Sequence, residues 1–221
     1  ERETNLGLRA IAIAISDSTY PTDSIRNSTL VGVIFIKDET REEAINGVKL
    51  IKSAGINIVM VTGDSINTAL SIAKETKIVD NPSDIVITSA ELNKLSDREV
   101  MNILPKLKVV ARALPEDKER LVTLAKKLNL VTGMTGDGVN DSTALRRADV
   151  SFAMGSGTEV AKEASDIVIL DDNILSISKA ILYGRTIFKN IRKFIIFQLT
   201  VNLAASSLAL IGPFIGVPSP I

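Results

Sequence analysis

The stretch MTGDGVNDSTAL, residues 134–145, decides the fold of this chain. Apolar residues 130–134 lead into it, and a polar-to-apolar helical pattern follows from residue 139 to residue 148. The pattern predicts a buried strand, a turn flanked by glycines and the start of a helix. Asp137 then falls where a parallel strand leaves its sheet, which is the usual place for a ligand in an open α/β fold.

Three polar side chains of this stretch, Asp137, Asn140 and Asp141, can point oxygen atoms into one small space. Such a set suits Mg²⁺, a hard cation that binds through one or two carboxylates together with phosphate oxygens. Glycines on both sides of Asp137 allow close approach of the backbone. The alternative is an ordinary turn in which Asp and Asn act as capping residues. The complete TGDGVND string after an apolar strand favours the magnesium site.

The composition excludes several kinds of chemistry. The 221 residues have a formal net charge of +0 and include no cysteine and no histidine. A disulfide framework, a serine–histidine triad and a histidine-ligated zinc site are therefore excluded, and no global field attracts nucleic acid. Chemistry must use carboxylates, Lys, Arg, hydroxyls and backbone amides. The N-terminus has no signal-peptide core and no initiator Met, so we expect a segment of a longer chain.

Strand-like and helix-like patterns alternate along most of the chain. Residues 30–37 and 56–61 are continuous apolar runs, as expected of strands buried on both faces. Residues 6–16 resemble a strand, and residues 90–104 a polar surface helix. Further strands are predicted at 85–88, 108–113, 149–153 and 166–170, and further helices at 41–54, 65–78, 115–128 and 158–164. The alternation predicts a Rossmann-like α/β fold, a parallel sheet with helices on both faces.

Four polar residues come at or just past the ends of successive predicted strands, namely Asp38, Thr62, Lys118 and Asp137. Convergence on one edge of the sheet is typical of ligand sites in α/β folds. The hydroxyl of Thr62 and the free amides at this strand end face a predicted helix N-terminus, an arrangement that predicts an anion site. Lys118 opposes the dipole of its own helix, which is sensible where an anion lies in front of it. Capping roles for Asp38 and Thr62, and a solvated Lys118, remain the alternatives.

From Asn173 onward the sequence changes to one long helical pattern. Residues 194–217 are uncharged over a length that can span the hydrocarbon core of a bilayer, about 30 Å. We expect Gly212-Pro213 and the prolines at 218 and 220 to end the span. Basic residues precede it, at Lys179, Arg185, Lys189, Arg192 and Lys193. They place that end in the cytoplasm by the positive-inside rule. The alternative is a buried helix of a soluble domain.

The TGDGVND string resembles the hinge motif of the P-type ATPases, within the haloacid dehalogenase superfamily. Four further strings occur in the family's order and spacing, so the resemblance covers nearly the whole chain: KDETR at 37–41, MVTGD at 60–64, FAMG at 152–155 and AKEASD at 161–166. GDSINTA at 63–69 and FQLTVN at 197–202 are most similar to calcium-transporting ATPases, particularly those of the plasma-membrane type.

The resemblance implies a role for each matching residue. In the family's pattern Asp137 ligates Mg²⁺, and Asn140 and Asp141 hold the site. A second set grips the phosphoryl group and comprises Thr62, Gly63 and Lys118. A third set contacts ATP or sets the geometry beside it, and comprises Arg9, Asp38, Arg41, Asp64 and Arg112. For Arg9, an exposed position on a strand is the alternative.

Several polar side chains lie inside the predicted span: Gln198, Thr200, Asn202, Ser206 and Ser207. Polar groups at membrane depth are costly and usually face the interior of a helix bundle. The resemblance aligns Asn202 with an Asn that ligates transported Ca²⁺. Pumps with two ion sites have a Glu three residues later, where this chain has Ala205. The difference favours a single calcium site, while Mn²⁺, Na⁺ or another cation remains an alternative ion.

The family's aspartyl nucleophile lies in an Asp-Lys-Thr-Gly-Thr string that this sequence lacks. We therefore expect an inactive part of a pump that hydrolyses ATP through an aspartyl-phosphate and exports cytosolic Ca²⁺. Residues 1–28 would end the nucleotide-binding domain, 29–185 would belong to a cytoplasmic phosphorylation domain, 186–217 would form the stalk and membrane helix, and 218–221 would begin an extracytoplasmic loop. Its cofactors would be Mg²⁺ and ATP, and its partners the lipid bilayer and the rest of the pump.

Two other classes remain open at this point. A membrane-anchored phosphatase of the dehalogenase type would need a nucleophilic Asp in a D-x-D setting on a strand, which the sequence lacks. A non-catalytic module would bind Mg²⁺ and phosphate, or a partner, without turnover. A pump whose acceptor segment is encoded separately is a variant of the main hypothesis.

Overall fold

The computed structural model of this chain describes residues 9–16, 28–36 and 40–216. The chain divides into two compact units, Glu1–Ile177 and Ser178–Ile221. Among the described residues, the first unit holds the strands and the shorter helices, and the second unit holds most of one long helix.

The first two strands, β1 (Arg9–Ser16) and β2 (Ser28–Ile36), form an antiparallel pair. Most of their described apolar side chains are exposed; Leu30 is 62% and Val31 60% accessible. The expectation that residues 30–37 are buried on both faces of a parallel sheet was therefore wrong. A continuous apolar run indicates a surface that requires cover, and in the described part of the chain β2 has β1 as its one strand neighbour.

Two three-stranded parallel sheets follow. The first contains β3 (Met60–Val61), β4 (Ile85–Thr88) and β5 (Leu107–Ala111), in the order β3-β5-β4. The second contains β6 (Gly133–Gly136), β7 (Val150–Met154) and β8 (Ile167–Ile169), in the order β6-β7-β8. Parallel pairing with helical connections confirms the predicted α/β class.

The helices of the first unit occur mostly where the sequence predicts them. They are α1 (Glu42–Ser53), α2 (Ile66–Glu75), α3 (Ser89–Leu92), α4 (Asp97–Ile103), α5 (Pro115–Lys127), a 3₁₀ turn (Val139–Asp141), α6 (Ser142–Arg147) and α7 (Glu159–Glu163). Side-chain oxygens of Ser65 and Thr158 accept hydrogen bonds from backbone amides at the starts of α2 and α7.

The main core lies around β5, whose residues Leu107, Val109, Val110 and Ala111 are completely buried. The expectation of a single surface helix at 90–104 was wrong. Two capping boxes, at Thr88 and Ser96, start two separate helices there. Both helices contribute to the core, since Leu92 and Val100 are also completely buried.

Two predicted strands differ from the observed ones in length and burial. The strand expected at 56–61 is confined to Met60–Val61 and is only half-buried. The strand before Asp137 begins at Gly133, and Val131 is 85% exposed, so the expectation of a buried strand was wrong there too. Both β3 and β6 are edge strands among the described residues, and an edge strand has fewer neighbours to cover it.

The last helix, α8, runs over Ile174–Ile215, and the second unit begins within it at Ser178. Its most apolar 18-residue window has a mean hydropathy of 1.9 and is 0% buried, so by length and composition α8 can cross a membrane. Gly212-Pro213 does not end it as predicted: Pro213 lies inside the helix, which continues to Ile215. Gly216 follows with a φ of 82°. The prolines at 218 and 220 lie outside the described residues.

Candidate functional site

The turn after β6 presents the carboxylate of Asp137. The amide of Asp137 donates to Asp141 Oδ2 at 3.2 Å, and its carbonyl accepts from the Thr158 amide at 2.8 Å. The residue is exposed, and among the described residues its carboxylate forms no hydrogen bond or ion pair. A main chain held on both sides therefore carries an uncommitted carboxylate at the end of a parallel strand.

Asp141 is the centre of this turn, and it is only 4% exposed. One carboxylate oxygen accepts from Lys118 Nζ at 2.5 Å, and the other accepts from the amides of Asp137 and Gly138 at 3.2 and 3.3 Å. A Cβ at Gly136 would lie 2.5 Å from the Cβ of Asp141, so this packing requires a glycine there. Asp141 thus joins α5 to the turn, while Asn140 in the same 3₁₀ turn is exposed.

The turn after β3 is built differently. The Thr62 amide donates to the Val110 carbonyl at 3.0 Å, and the Ala113 amide donates to the Thr62 carbonyl at 2.9 Å. The Thr62 hydroxyl donates to Asp64 Oδ2 at 2.9 Å and accepts from the Asp64 amide at 3.2 Å. Gly63 is exposed, with open space around the position of a Cβ. This turn therefore offers an accessible amide, while its hydroxyl proton is engaged by Asp64.

A buried carboxylate that the sequence did not single out fixes the start of α5. Asp117 is 2% exposed; it accepts from the Leu114 amide at 2.8 Å and from Asn93 Nδ2 at 3.2 Å. Its position three residues after Leu114, with Pro115 between, has the spacing of a capping box and could have revealed it. The next residue is Lys118, so Asp117 sets where that ammonium group leaves the helix.

The remaining predicted residues are more dispersed. Asp38 and the side chain of Arg9 lie outside the described residues. Arg112 is exposed with a φ of 51°, and its amide donates to the Asp64 carbonyl at 2.9 Å. Arg41 is exposed just before α1. Asn202, on α8, accepts from Gln198 Nε2 at 3.3 Å.

Arg41 belongs to the surroundings of another carboxylate, Asp172. Hydrogen bonds from Ser156, chiefly from its amide, lower the pKa of Asp172, and the charge of Arg41 contributes in the same direction. Asp172 accepts from the Ser156 amide at 3.1 Å, which connects this carboxylate to the loop after β7.

An open pocket of about 640 Å³ lies beside Arg112, with Ile66, Thr88 and Leu114 among its lining residues. Neither Lys118 nor Asp137 lines it. Lys118 and Asp137 consequently lie outside this pocket, whereas Arg112, directly after β5, lines it.

The donor set at Asp137 fits Mg²⁺. In the described part of the chain no group of three or more acidic side chains could hold a metal ion alone. Asp141 is committed to Lys118 and two amides, so Asp137 provides one carboxylate. Mg²⁺ commonly takes one or two protein carboxylates and completes its coordination with water and substrate phosphate oxygens.

The fold and the strand-end residues define a parallel α/β protein with a carboxylate, an ammonium group and a Thr–Gly turn at its edges. The chain belongs to the haloacid dehalogenase-like hydrolase family, whose model matches residues 6–149. A second model with the same description matches residues 119–181.

Relatives from a narrower class of proteins, the calcium-transporting ATPases, confirm the resemblance that the motifs indicated. The chain is 44% identical to calcium-transporting ATPase PAT1 of Dictyostelium discoideum over 93% of its length, and 45% identical to a probable plasma membrane-type calcium-transporting ATPase of Oryza sativa subsp. japonica over 90%. It is 40% identical to calcium-transporting ATPase 1 of Saccharomyces cerevisiae over 97%. The chain spans 19%, 20% and 23% of these relatives.

A solved structure supports the same fold. The crystal structure of a zinc-transporting PIB-type ATPase in the E2.Pi state superimposes with a TM-score of 0.68 and 23% identity. The match covers 99% of this chain and 29% of the zinc transporter.

Proposed function

We propose that this chain is the C-terminal part of the phosphorylation domain, with the following membrane helix, of a P-type ATPase that exports cytosolic Ca²⁺. The observation that carries the proposal is the uncommitted Asp137 carboxylate at the end of β6, beside the Lys118–Asp141 pair. The calcium-transporting ATPases at 40–45% identity support the ion and the reaction class.

In the intact pump, Asp137 would be a ligand of Mg²⁺, which supplies positive charge to the transferring phosphoryl group. Lys118 has three N–H donors, and Asp141 accepts from one of them at 2.5 Å. The others can donate to phosphoryl oxygens, so Asp141 orients the lysine while Lys118 balances anionic charge.

The turn after β3 would bind the same phosphoryl group. The Gly63 amide is accessible, and the Thr62 hydroxyl would exchange its Asp64 acceptor for a phosphoryl oxygen. Asp64 would support the nucleotide side, where the Arg112 amide donates to its carbonyl.

The covalent step requires an aspartyl acceptor from another part of the pump. Within the described residues β3 and β6 each pair with one strand, which leaves an edge on each where an acceptor-bearing strand could add. The isolated chain would therefore form no phosphoenzyme.

The apolar part of α8 would cross the membrane, with its basic residues and the α/β unit on the cytoplasmic side. Asn202 would contribute an amide oxygen to the calcium site, because Ca²⁺ prefers oxygen ligands. The bond from Gln198 would orient that amide within the span.

Asp137→Asn tests the proposal in the intact pump. The substitution removes the anionic ligand but keeps the side-chain size, so phosphorylation from radiolabelled ATP should fall about 100-fold or more. The wild-type reaction should require Ca²⁺ and not be supported by Mn²⁺ or Na⁺ in its place.

The matched control is Asp80→Asn, an exposed carboxylate paired with Lys52 before β4. It should phosphorylate within about twofold of wild type. Normal phosphorylation of the Asp137→Asn pump at saturating Mg²⁺ would overturn the role of Asp137 as a Mg²⁺ ligand. Phosphorylation that depends on another ion would overturn Ca²⁺ as the transported ion.

A further inference from the structure

The carbonyl of Asp137 has a partner in the loop after β7. The Thr158 amide donates to it at 2.8 Å, across 21 residues of sequence. The Asp137 amide is held by Asp141, so the peptide groups on both sides of the Asp137 Cα are fixed. Since backbone atoms determine the direction of Cβ, these two bonds together aim the carboxylate.

Gly157 makes this contact possible. A Cβ at position 157 would lie 3.0 Å from the carbonyl oxygens of Asp137 and Met154, and 3.1 Å from the Asp137 Cα. All three are backbone atoms, which cannot rotate away as the end of a flexible side chain could. Any larger residue would therefore displace either this loop or the Asp137 turn.

The loop is anchored on its other side and resists displacement. The Gly155 amide donates to the Ile169 carbonyl at 2.8 Å, and the Ser156 amide donates to Asp172 Oδ1 at 3.1 Å. The Gly157 amide closes the turn on the Met154 carbonyl at 3.0 Å. With three successive amides bonded, part of a clash at position 157 is transmitted to Asp137.

We propose that Gly157 is a positioning residue for Asp137: its missing side chain lets the Thr158 amide hold the Asp137 carbonyl and so aim the magnesium-binding carboxylate. This inference rests on the function proposed above. Gly157 touches no substrate; it acts through Asp137, and its substitution should weaken Mg²⁺ binding more than it lowers the maximal reaction.

The test is Gly157→Ala in the intact pump, with phosphorylation from ATP measured across a Mg²⁺ titration. The half-saturating Mg²⁺ concentration should rise about tenfold, as is typical when support of a metal ligand is lost. Phosphorylation at saturating Mg²⁺ should approach the wild-type level, unlike that of Asp137→Asn.

Gly155→Ala is the matched steric control. A Cβ there would lie 2.9 Å from the backbone of Leu170, an equally close contact that faces away from Asp137. It should leave the half-saturating Mg²⁺ concentration unchanged, whatever it does to the yield of folded pump. An unshifted Gly157→Ala titration, or an equal shift in Gly155→Ala, would overturn the inference.

A second pair of variants addresses the amide itself if Gly157→Ala does not fold. Thr158 has a φ of −65°, which proline adopts, so Thr158→Pro removes the donor without requiring a new φ. Thr158→Val keeps that amide while losing the hydroxyl that caps α7.

Thr158→Pro should raise the Mg²⁺ requirement and Thr158→Val should not; equal requirements would contradict the inference. A wild-type pump that forms no Mg²⁺-dependent phosphoenzyme, or an Asp137→Asn pump that forms one normally, would instead contradict the proposed function.

Discussion

The turns after β3 and β6 both end a parallel strand with a Thr-Gly-Asp sequence, yet they are held in different ways. Around Thr62 a hydroxyl–carboxylate bond joins residues two apart, and main-chain bonds connect the turn to β5 and to the residues after it. Around Asp137 the contacts involve Asp141 in the 3₁₀ turn, Lys118 in α5 and Thr158 in the loop after β7.

The difference separates a preformed site from one that must change its partners. The Asp137 turn has its main chain fixed and its carboxylate uncommitted, so a metal ion can bind with little rearrangement. The Thr62 hydroxyl donates to Asp64 and must release it before it can donate to a phosphoryl oxygen. In one turn the carboxylate that would bind the ligand is uncommitted, and in the other the hydroxyl that would bind the ligand is held by a carboxylate two residues away.

The largest effect that sharpens this contrast is expected from Asp141→Ala. It leaves Lys118, whose side chain is 20% exposed, without its carboxylate and two turn amides without an acceptor. The free energy of unfolding should fall by about 3 kcal/mol, which is in the range for breaking a largely buried ion pair. Thermal unfolding of the intact pump measures it as a shift in Tm.

The corresponding substitution in the other turn is Asp64→Ala. Asp64 is half-buried and accepts a hydrogen bond from the Thr62 hydroxyl two residues away. Its substitution should therefore lower the free energy of unfolding by about 1 kcal/mol. Equal Tm shifts for the two variants would refute the distinction between a long-range and a local turn.

A smaller effect is expected when a methyl group is added to the glycine of each turn. Gly136→Ala forces a Cβ to 2.5 Å from Asp141, which should cost about 1–3 kcal/mol by overpacking. Gly63→Ala adds its methyl to open space and should change stability by less than about 0.5 kcal/mol. The Tm of each variant measures its change in stability. A clearly lower Tm for Gly63→Ala would contradict the open space around Gly63.

The smallest effect on stability is expected at the opposite end of β6, where the carboxylate of Asp149 accepts hydrogen bonds from Thr132. A hydrogen bond from the Thr132 amide, with further bonds from Lys126 and the Thr132 hydroxyl, lowers the pKa of Asp149 from 3.8 to about 2. Its stabilisation is complete above the unfolded-state pKa, near 3.8, and is lost as the pH falls through about 2.

Asp149→Asn should therefore reduce the difference in stability between pH 4 and pH 2, which acid unfolding followed by circular dichroism can measure. An unchanged slope would mean that Asp149 does not hold this end of the strand.

The sequence alone predicted those features that depend on neighbouring residues. TGDGVND implied the strand, turn and helix around Asp137, and the apolar and polar spacing located α1, α2 and α5. Chain order also placed Thr62 and Asp137 directly after parallel strands.

Features that depend on distant contacts could not be predicted in the same way. Gly157 gives no sign in the sequence that it approaches Asp137, because that contact forms only when β6 and β7 pair. Residues 30–37 show why an apolar run is ambiguous. Such a run indicates that the segment packs against something, but it does not show which element packs on it. The helix expected at 90–104 divides because a local capping box at Ser96 overrides its overall pattern.

The assignment of Asp137 to the magnesium site is best tested by a structure of the intact pump with Mg²⁺ and a phosphate analogue. An Asp137 carboxylate oxygen should lie about 2.0–2.1 Å from the ion, and Lys118 should bridge Asp141 and the analogue. A metal ion coordinated by Asp141 instead, or one that Asp137 does not touch, would show the assignment to be wrong.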